Sequence, residues 1–281
     1  MALLSRDGQE QLVTAVRHAL LLLWTVIALF PFYWMFAMAT RPVQQSLELP
    51  PTWVFVPTFE NFVRLTERGD FLQGLQNSLV IVSGSVVLVL AVGVPAAYAI
   101  SRYDIPHERD VLVWILSSRM LPPVAVMIPF LLIFQQFELF DTIPGMILIY
   151  GTINISIVVW VMKAFFDGIP ESLEEAAMVD GATRSQALRK VILPAALPGI
   201  ISVAIISFIF AWIELLFALV LTSTNAITAP MTVYQFIGAR RIEWGMLAAA
   251  SVVVVLPILL GLIAVNRYLA SGLSFGVVLK E

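Results

Sequence analysis

Apolar residues recur in six runs, each long enough to cross a hydrocarbon core, which takes about 20 residues. The runs cover approximately Ala19–Ala39, Leu79–Ile100, Val111–Phe134, Ile143–Phe166, Leu197–Leu221 and Met246–Tyr268. Their lengths predict an all-α polytopic membrane protein, with residues 1–281 forming one transmembrane domain of six helices. Polar residues collect between the runs, and residues 167–198 make the longest charge-bearing break on one side. Of the sixteen Lys and Arg, ten fall on the side that holds both termini, counting Lys163 and Arg267 at the inner ends of their runs, five fall on the other, and Arg119 falls deep within a run. The excess of basic residues places both termini in the cytoplasm.

The break at 167–198 reads as two short helices meeting at a glycine. Pro170 suits a first helical position, where a missing N–H is harmless. Glu171, Glu174 and Glu175 then supply the charge that a helix N-terminus favours. Asp180-Gly181 is a turn pair in which Gly181 can take the left-handed conformation that ends a helix. Thr183 with Gln186 fits a capping box for a second helix, with Ala187, Leu188, Val191 and Ile192 along one side. Pro194 and Pro198 close the unit. The small Ala176 and Ala177 leave room for another surface to approach. An ordinary helical connector accounts for the composition equally well; the residue order is more specific.

Composition narrows the class. Hydrophobic residues make up 60% of the chain and charged ones 12%, against roughly 25% charged in a soluble domain. With a net charge of −3 and no basic run, no nucleic-acid partner is expected. There is no Cys, and His18 and His107 stand apart, so neither a disulfide nor a metal site is expected. Ala37-Met38-Ala39 imitates a signal-peptidase site, but the run before it exceeds the roughly 7–15 residues of a signal core. It reads as an uncleaved first span.

Three spans carry polar chemistry. Pro122, Pro123 and Pro129 remove helix donors from the third, so it should be irregular. Arg119 within it is costly in lipid and should face the bundle interior or a wet cavity, either lining a path or acting as a paired structural charge. Glu214 in the fifth span poses the same choice. Counted along ideal helices the two lie at depths of ~12 and ~25 Å, which disfavours a direct pair. Asn154 and Trp160 in the fourth span are further path candidates, with packing the simpler role for Trp160. In the long loop 40–76, Trp53, Phe55, Phe59, Phe62 and Phe71 suit interfacial anchoring or a partner-facing lip.

Glu175-Ala176-Ala177, three residues, Gly181, nine residues, Val191, one residue and Leu193-Pro194 resembles the EAA signature of ATP-binding-cassette importer permeases. Val191 stands where that family usually has Ile. Ile169-Pro170 and Asp180-Gly181-Ala182 share the likeness, as do 118–123 (SRMLPP) and 211–218 (AWIELLFA). The chain is most similar to the carbohydrate-importer branch, in particular the smaller maltose-type permease. The resemblance implies that Glu175, Ala176, Ala177, Asp180, Gly181, Val191, Leu193 and Pro194 couple to ATPase subunits. It further implies a second homologous permease, two cytoplasmic ATPase subunits that bind the ATP and Mg, an extracytoplasmic solute-binding protein, a carbohydrate cargo and a bacterial inner membrane. In such relatives a Gly-bearing tail reaches between the ATPases, a role that would fall here to Gly272 and Gly276.

Gly272-Leu273-Ser274-Phe275-Gly276 also matches the nucleophile elbow G-x-S-x-G, but the strand–turn–helix setting and the following acid and His are missing. No G-x-x-x-x-G-K-[ST] phosphate loop occurs, so the chain is not expected to be an enzyme by itself. Two rivals stand beside the importer permease. One is an ion-coupled secondary transporter or channel using Arg119 and Glu214; the other, weaker, is a membrane-embedded enzyme.

Overall fold

The structure, a computed structural model of the chain, describes the backbone of residues 6–47, 53–237 and 242–278, and the side chains of 12–46, 53–237 and 242–263. In chain order the helices are α1 (Arg6–Ala39), α2 (Glu60–Glu67), α3 (Gly69–Arg102), α4 (Glu108–Met120), α5 (Pro123–Gln136), α6 (Ile143–Asp167), α7 (Glu171–Val179), α8 (Arg184–Ala187), α9 (Leu193–Ala195), α10 (Leu197–Trp212), α11 (Leu216–Leu221), α12 (Ala229–Gln235) and α13 (Trp244–Val278). Among the described residues there is no strand, only an isolated bridge between Ile237 and Ile242. Four of the helices are long and apolar enough to cross a membrane, and two bent pairs bring the number to as many as six.

The third and fifth runs differ from single helices. The run predicted at Val111–Phe134 is α4 and α5, bent by 92°. The cause is local: a residue before proline is pushed out of the helical region, and Leu121 and Pro122 are both extended, at ψ 128° and 123°. Pro123 then restarts the helix at its first position. The run predicted at Leu197–Leu221 stops at Trp212 and resumes at Leu216, with no proline between. Here one tertiary and one local contact sustain the break. The Tyr150 hydroxyl donates to the Glu214 carbonyl at 3.0 Å, and the Phe217 N–H donates to the Glu214 carboxylate at 3.0 Å. Glu214 thus caps α11 rather than sitting mid-helix. The last run extends from Trp244 to Val278, so Gly272 and Gly276 lie within the same helix. Their surroundings lie outside the described residues.

The chain divides into two compact units. In the unit of Met1–Arg68 with Phe236–Val253, Asn61 of α2 donates to the carbonyls of Ala39 and Arg41 at 3.0 and 2.9 Å and so ties down the end of α1. Gly245 abuts the Asn61 side chain, and any Cβ there would come within 2.6 Å of its Oδ1. The Arg41 guanidinium lies 4.9 Å from the Phe55 ring centre. Of the five aromatic residues suited to interfacial anchoring or a lip, Trp53 and Phe59 are exposed, whereas Phe71 is buried.

The unit of Gly69–Gln235 with Val254–Glu281 is built on α3 packed along α6. Close approach requires small residues, as in membrane helix pairs generally; a Cβ on Gly93 would lie 2.7 Å from Val158 Cγ1. Two apolar clusters fill this unit. One joins Ile81, Tyr150, Trp212, Phe217 and Leu221, and the other joins Val89, Tyr98, Phe166 and Ile192. Trp212 also donates to the Val254 carbonyl at 2.9 Å, fixing α10 to α13.

The segment 222–229 is held from two directions. Asn77 of α3 donates to the carbonyls of Asn225 and Ile227 at 2.8 and 2.9 Å. Asp141, in the loop before α6, accepts the N–H groups of Ser223, Thr224, Asn225 and Ala226. Burial alone would raise the Asp141 pKa, but these four amides outweigh it and hold the carboxyl down at about 2.

Candidate functional site

The helix pair expected at 167–198 forms, and its joint has the predicted chemistry. Gly181 sits at φ +90°. The Ala182 N–H reaches back to the Ala177 carbonyl and the Gly181 N–H to the Met178 carbonyl, both at 3.0 Å, which is the Schellman pattern. Thr183 and Gln186 form the capping box, at 2.9 and 3.3 Å. Pro170 is the cap residue, one place before the first helical position assigned to it from sequence. Pro194 does not close the unit; it falls inside α9. Having no N–H, it cannot complete the preceding turn, which widens to a π turn over Leu188–Ile192 with the Leu193 N–H bonded to the Leu188 carbonyl.

The eight residues expected to couple divide by face. Glu175, Ala176, Asp180, Gly181 and Pro194 are exposed, and Ala177 is half-buried beside them. Val191 and Leu193 turn the other way and pack against the apolar cluster of Tyr98, Phe166 and Ile192. One half of the motif therefore forms a surface, and the other seats that surface on the helix bundle. Val179, 86% exposed, and Leu173, 45% exposed, add apolar area to α7.

Glu174 is the residue whose placement the sequence did not reveal. Although next to the exposed Glu175, it is buried. Its carboxylate accepts the Tyr98 hydroxyl and lies 3.5 Å from Arg102 Nε and 3.7 Å from Arg184 Nε. Arg102 also donates to the Ile169 carbonyl at 2.7 Å, and the Arg184 guanidinium covers the Tyr103 ring at 5.0 Å. A second network adjoins it: Asp167 accepts from Ser101 at 2.6 Å and from Lys163 at 2.8 Å, and Lys163 reaches Glu108 of α4 at 3.2 Å. The available signal was the spacing of Tyr98 and Arg102, i and i+4 on the last turns of α3, facing the acidic start of α7.

Among the described residues Arg119 and Glu214 make no direct ion pair, although the Glu214 carboxylate is near enough to attract the Arg119 guanidinium. Arg119 donates to the Ile153 carbonyl at 2.9 Å and lies 4.6 Å from the Phe210 ring centre. Glu214 is half-buried and engaged in the α11 cap. Asn154 is 2% exposed and donates to the Tyr150 carbonyl at 2.9 Å, so it lies within the packing of this chain rather than on an open face. Trp160, 41% exposed, donates to the Leu112 carbonyl of α4 at 3.3 Å. Among the described residues no cluster of three or more His, Cys, Asp or Glu can hold a metal.

Comparison with known proteins agrees with this architecture. The family described as binding-protein-dependent transport system inner membrane component matches residues 90–274. A trehalose transport system permease protein of Mycobacterium tuberculosis is 39% identical over 257 residues, covering 89% of this chain and 92% of that protein. The trehalose/maltose transport system permease protein MalG of Thermococcus litoralis is 30% identical over 264 residues, covering 92% and 95%. A chain from the crystal structure of a bacterial ABC transporter for import of the acidic polysaccharide alginate superposes with a TM-score of 0.76 at 24% identity, covering 95% of this chain and 99% of that one. At that identity the match establishes the fold alone.

Proposed function

The chain belongs to the family of binding-protein-dependent transport system inner membrane components, and from that premise we propose that it is the permease subunit of an ATP-driven carbohydrate importer in a bacterial inner membrane. It forms half of the path, and a second, similar permease forms the other half. The observation that carries the reading is the two-faced loop at 167–198. Glu175, Ala176, Asp180 and Gly181 face outward on a capped, rigid turn, while Val191 and Leu193 root the turn in the bundle. A surface built this way transmits force. Two cytoplasmic ATPase subunits hold ATP and Mg, close against it, and bias the bundle between inward- and outward-open states. An external binding protein delivers the solute. Carbohydrate is supported by the cargo named for the trehalose and trehalose/maltose relatives.

Arg119 and Glu214 are assigned to the path, each tethered to a main-chain group near a helix break. That tethering weighs against the ion-coupled alternative, which asks the two to act together as a charge site. The basic-residue distribution supports cytoplasmic termini. The experiment is purification of the chain from its native membrane in mild detergent, identification of its partners, and reconstituted uptake. Co-purification of an ATPase subunit and ATP-dependent sugar uptake are expected. Saturable nucleotide binding by the chain alone would overturn the reading.

A further inference from the structure

We infer that Glu174 fastens α7 to the end of α3, so that α3 follows the coupling loop as α6 and α10 do through the chain. The inference rests on the permease reading above.

The loop is joined covalently only to α6 and α10. Its link to α3 is made by side chains, and Glu174 is their meeting point. A glutamate in the first turn of a helix is normally satisfied by the helix terminus and water, as the exposed Glu171 shows. Glu174 instead turns inward, and the side chains of Glu174 and Arg102 are each 6% exposed. Removing two charges from water is unfavourable unless the geometry and the remaining hydrogen bonds compensate. Here the compensation is partial: the Tyr98 hydroxyl donates to one carboxylate oxygen and Arg102 donates to the Ile169 carbonyl, while the buried Arg102 Nε faces the other carboxylate oxygen at 3.5 Å without a hydrogen bond, so the pair holds by charge. Tyr98 and Arg102 lie one turn apart on α3, so the carboxylate grips that helix at two levels. The neighbouring network of Ser101, Asp167, Lys163 and Glu108 ties α3, α6 and α4 together at the same end. Glu174 is thus a positioning residue. It makes the α7 surface and the α3 helix one body, shielded from ionic screening by burial.

The test uses the assembled transporter. Glu174→Ala would remove the side-chain volume and the acceptor for Tyr98 along with the charge, so the informative variants are the near-isosteric Glu174→Gln, which removes the charge alone, with Arg102→Gln, the double variant and Tyr98→Phe. Solute transported per ATP hydrolysed should fall at least about five-fold in each Gln variant, the low end of measured coupling energies, with insertion and ATPase binding retained. The double variant should be no worse than the worse single, because the two residues act as a unit. Tyr98→Phe should be milder in the same direction. An unchanged ratio in all four, or losses that multiply in the double, would overturn the inference.

If the Gln variants fail to insert, the wild-type background decides. The chain has no Cys, so spin labels at Ser172→Cys on α7 and Val92→Cys on α3, both exposed, report their separation cleanly. The distance should be the same in nucleotide-free and ATP-trapped complexes; a shifted distance means α3 does not follow. Failure of the unsubstituted complex to assemble with an ATPase would sink the permease reading instead.

Discussion

Ala182 donates its backbone N–H to the carbonyl of Ala177 at 3.0 Å, and this bond closes α7 over Gly181. The geometry requires φ +90° at Gly181, where a Cβ would meet nothing within 4 Å. Steric clash within the chain is therefore absent, and the intrinsic penalty for a side chain is conformational, about 1–2 kcal/mol. Gly181→Ala should lower thermal stability by about that amount and leave most uptake intact. Gly181→Val adds a branched side chain on the exposed face and should uncouple ATP hydrolysis from uptake, as should Glu175→Lys. Uptake and hydrolysis rates of reconstituted complexes, with insertion checked separately, decide this. Normal coupling in both Gly181→Val and Glu175→Lys would reduce the loop to a connector.

Asp141 gives a pH dependence with a definite sign. Its carboxyl titrates at about 2 in the folded chain and near 3.9 in an unfolded one. A depressed pKa means that folding favours the ionised form. The stabilisation, about 2–3 kcal/mol, is fully present above pH ~4 and fades as pH falls toward the folded pKa. Asp141→Asn should remove it at neutral pH. Melting temperatures in detergent from pH 7 to pH 3 should fall for the wild type below about pH 4 and change less for the variant over that interval. Parallel curves would refute the role given to the four amides.

Arg119 holds α4 against α6 and α10 through one hydrogen bond and one ring face. Arg119→Leu should reduce uptake strongly while the chain still inserts. Arg119→Lys should rescue only part of it, since an ammonium cannot stack as a guanidinium does. Glu214→Leu should be milder, with a loss of about 1 kcal/mol for the α11 cap. Uptake assays paired with thermal melts distinguish the order; equal effects would mean the two residues share one function.

Gly93 tests the α3–α6 seam. A Cβ there would press on Val158 at 2.7 Å, an overpacking that typically costs about 1–3 kcal/mol. Gly93→Ala should lower the melting temperature, and Val158→Ala should restore part of the loss. No recovery in the double variant would place the strain elsewhere.

The amino-acid sequence by itself determined which segments are apolar enough for a membrane, because that depends only on local composition. It likewise determined the joint of the helix pair at 167–198, because Gly181, Thr183 and Gln186 act on backbone groups within a few residues of themselves. The bend after Met120 followed from Pro122 and Pro123 for the same reason. What the tertiary structure decided is wherever a group finds its partner far along the chain. The break at Glu214 contains no proline, and beside the local bond from the Phe217 N–H to the Glu214 carboxylate it is held by Tyr150, 64 positions away, which donates to the Glu214 carbonyl. Asp141 shows nothing in its neighbours to distinguish it from a surface turn, yet it gathers four amides more than 80 positions away. Glu174 and Glu175 are the same residue type side by side, and each suits the start of a helix. Only the packing of α7 against α3, which brings Tyr98 and Arg102 beneath one of them, decides that Glu174 is buried and Glu175 is left exposed.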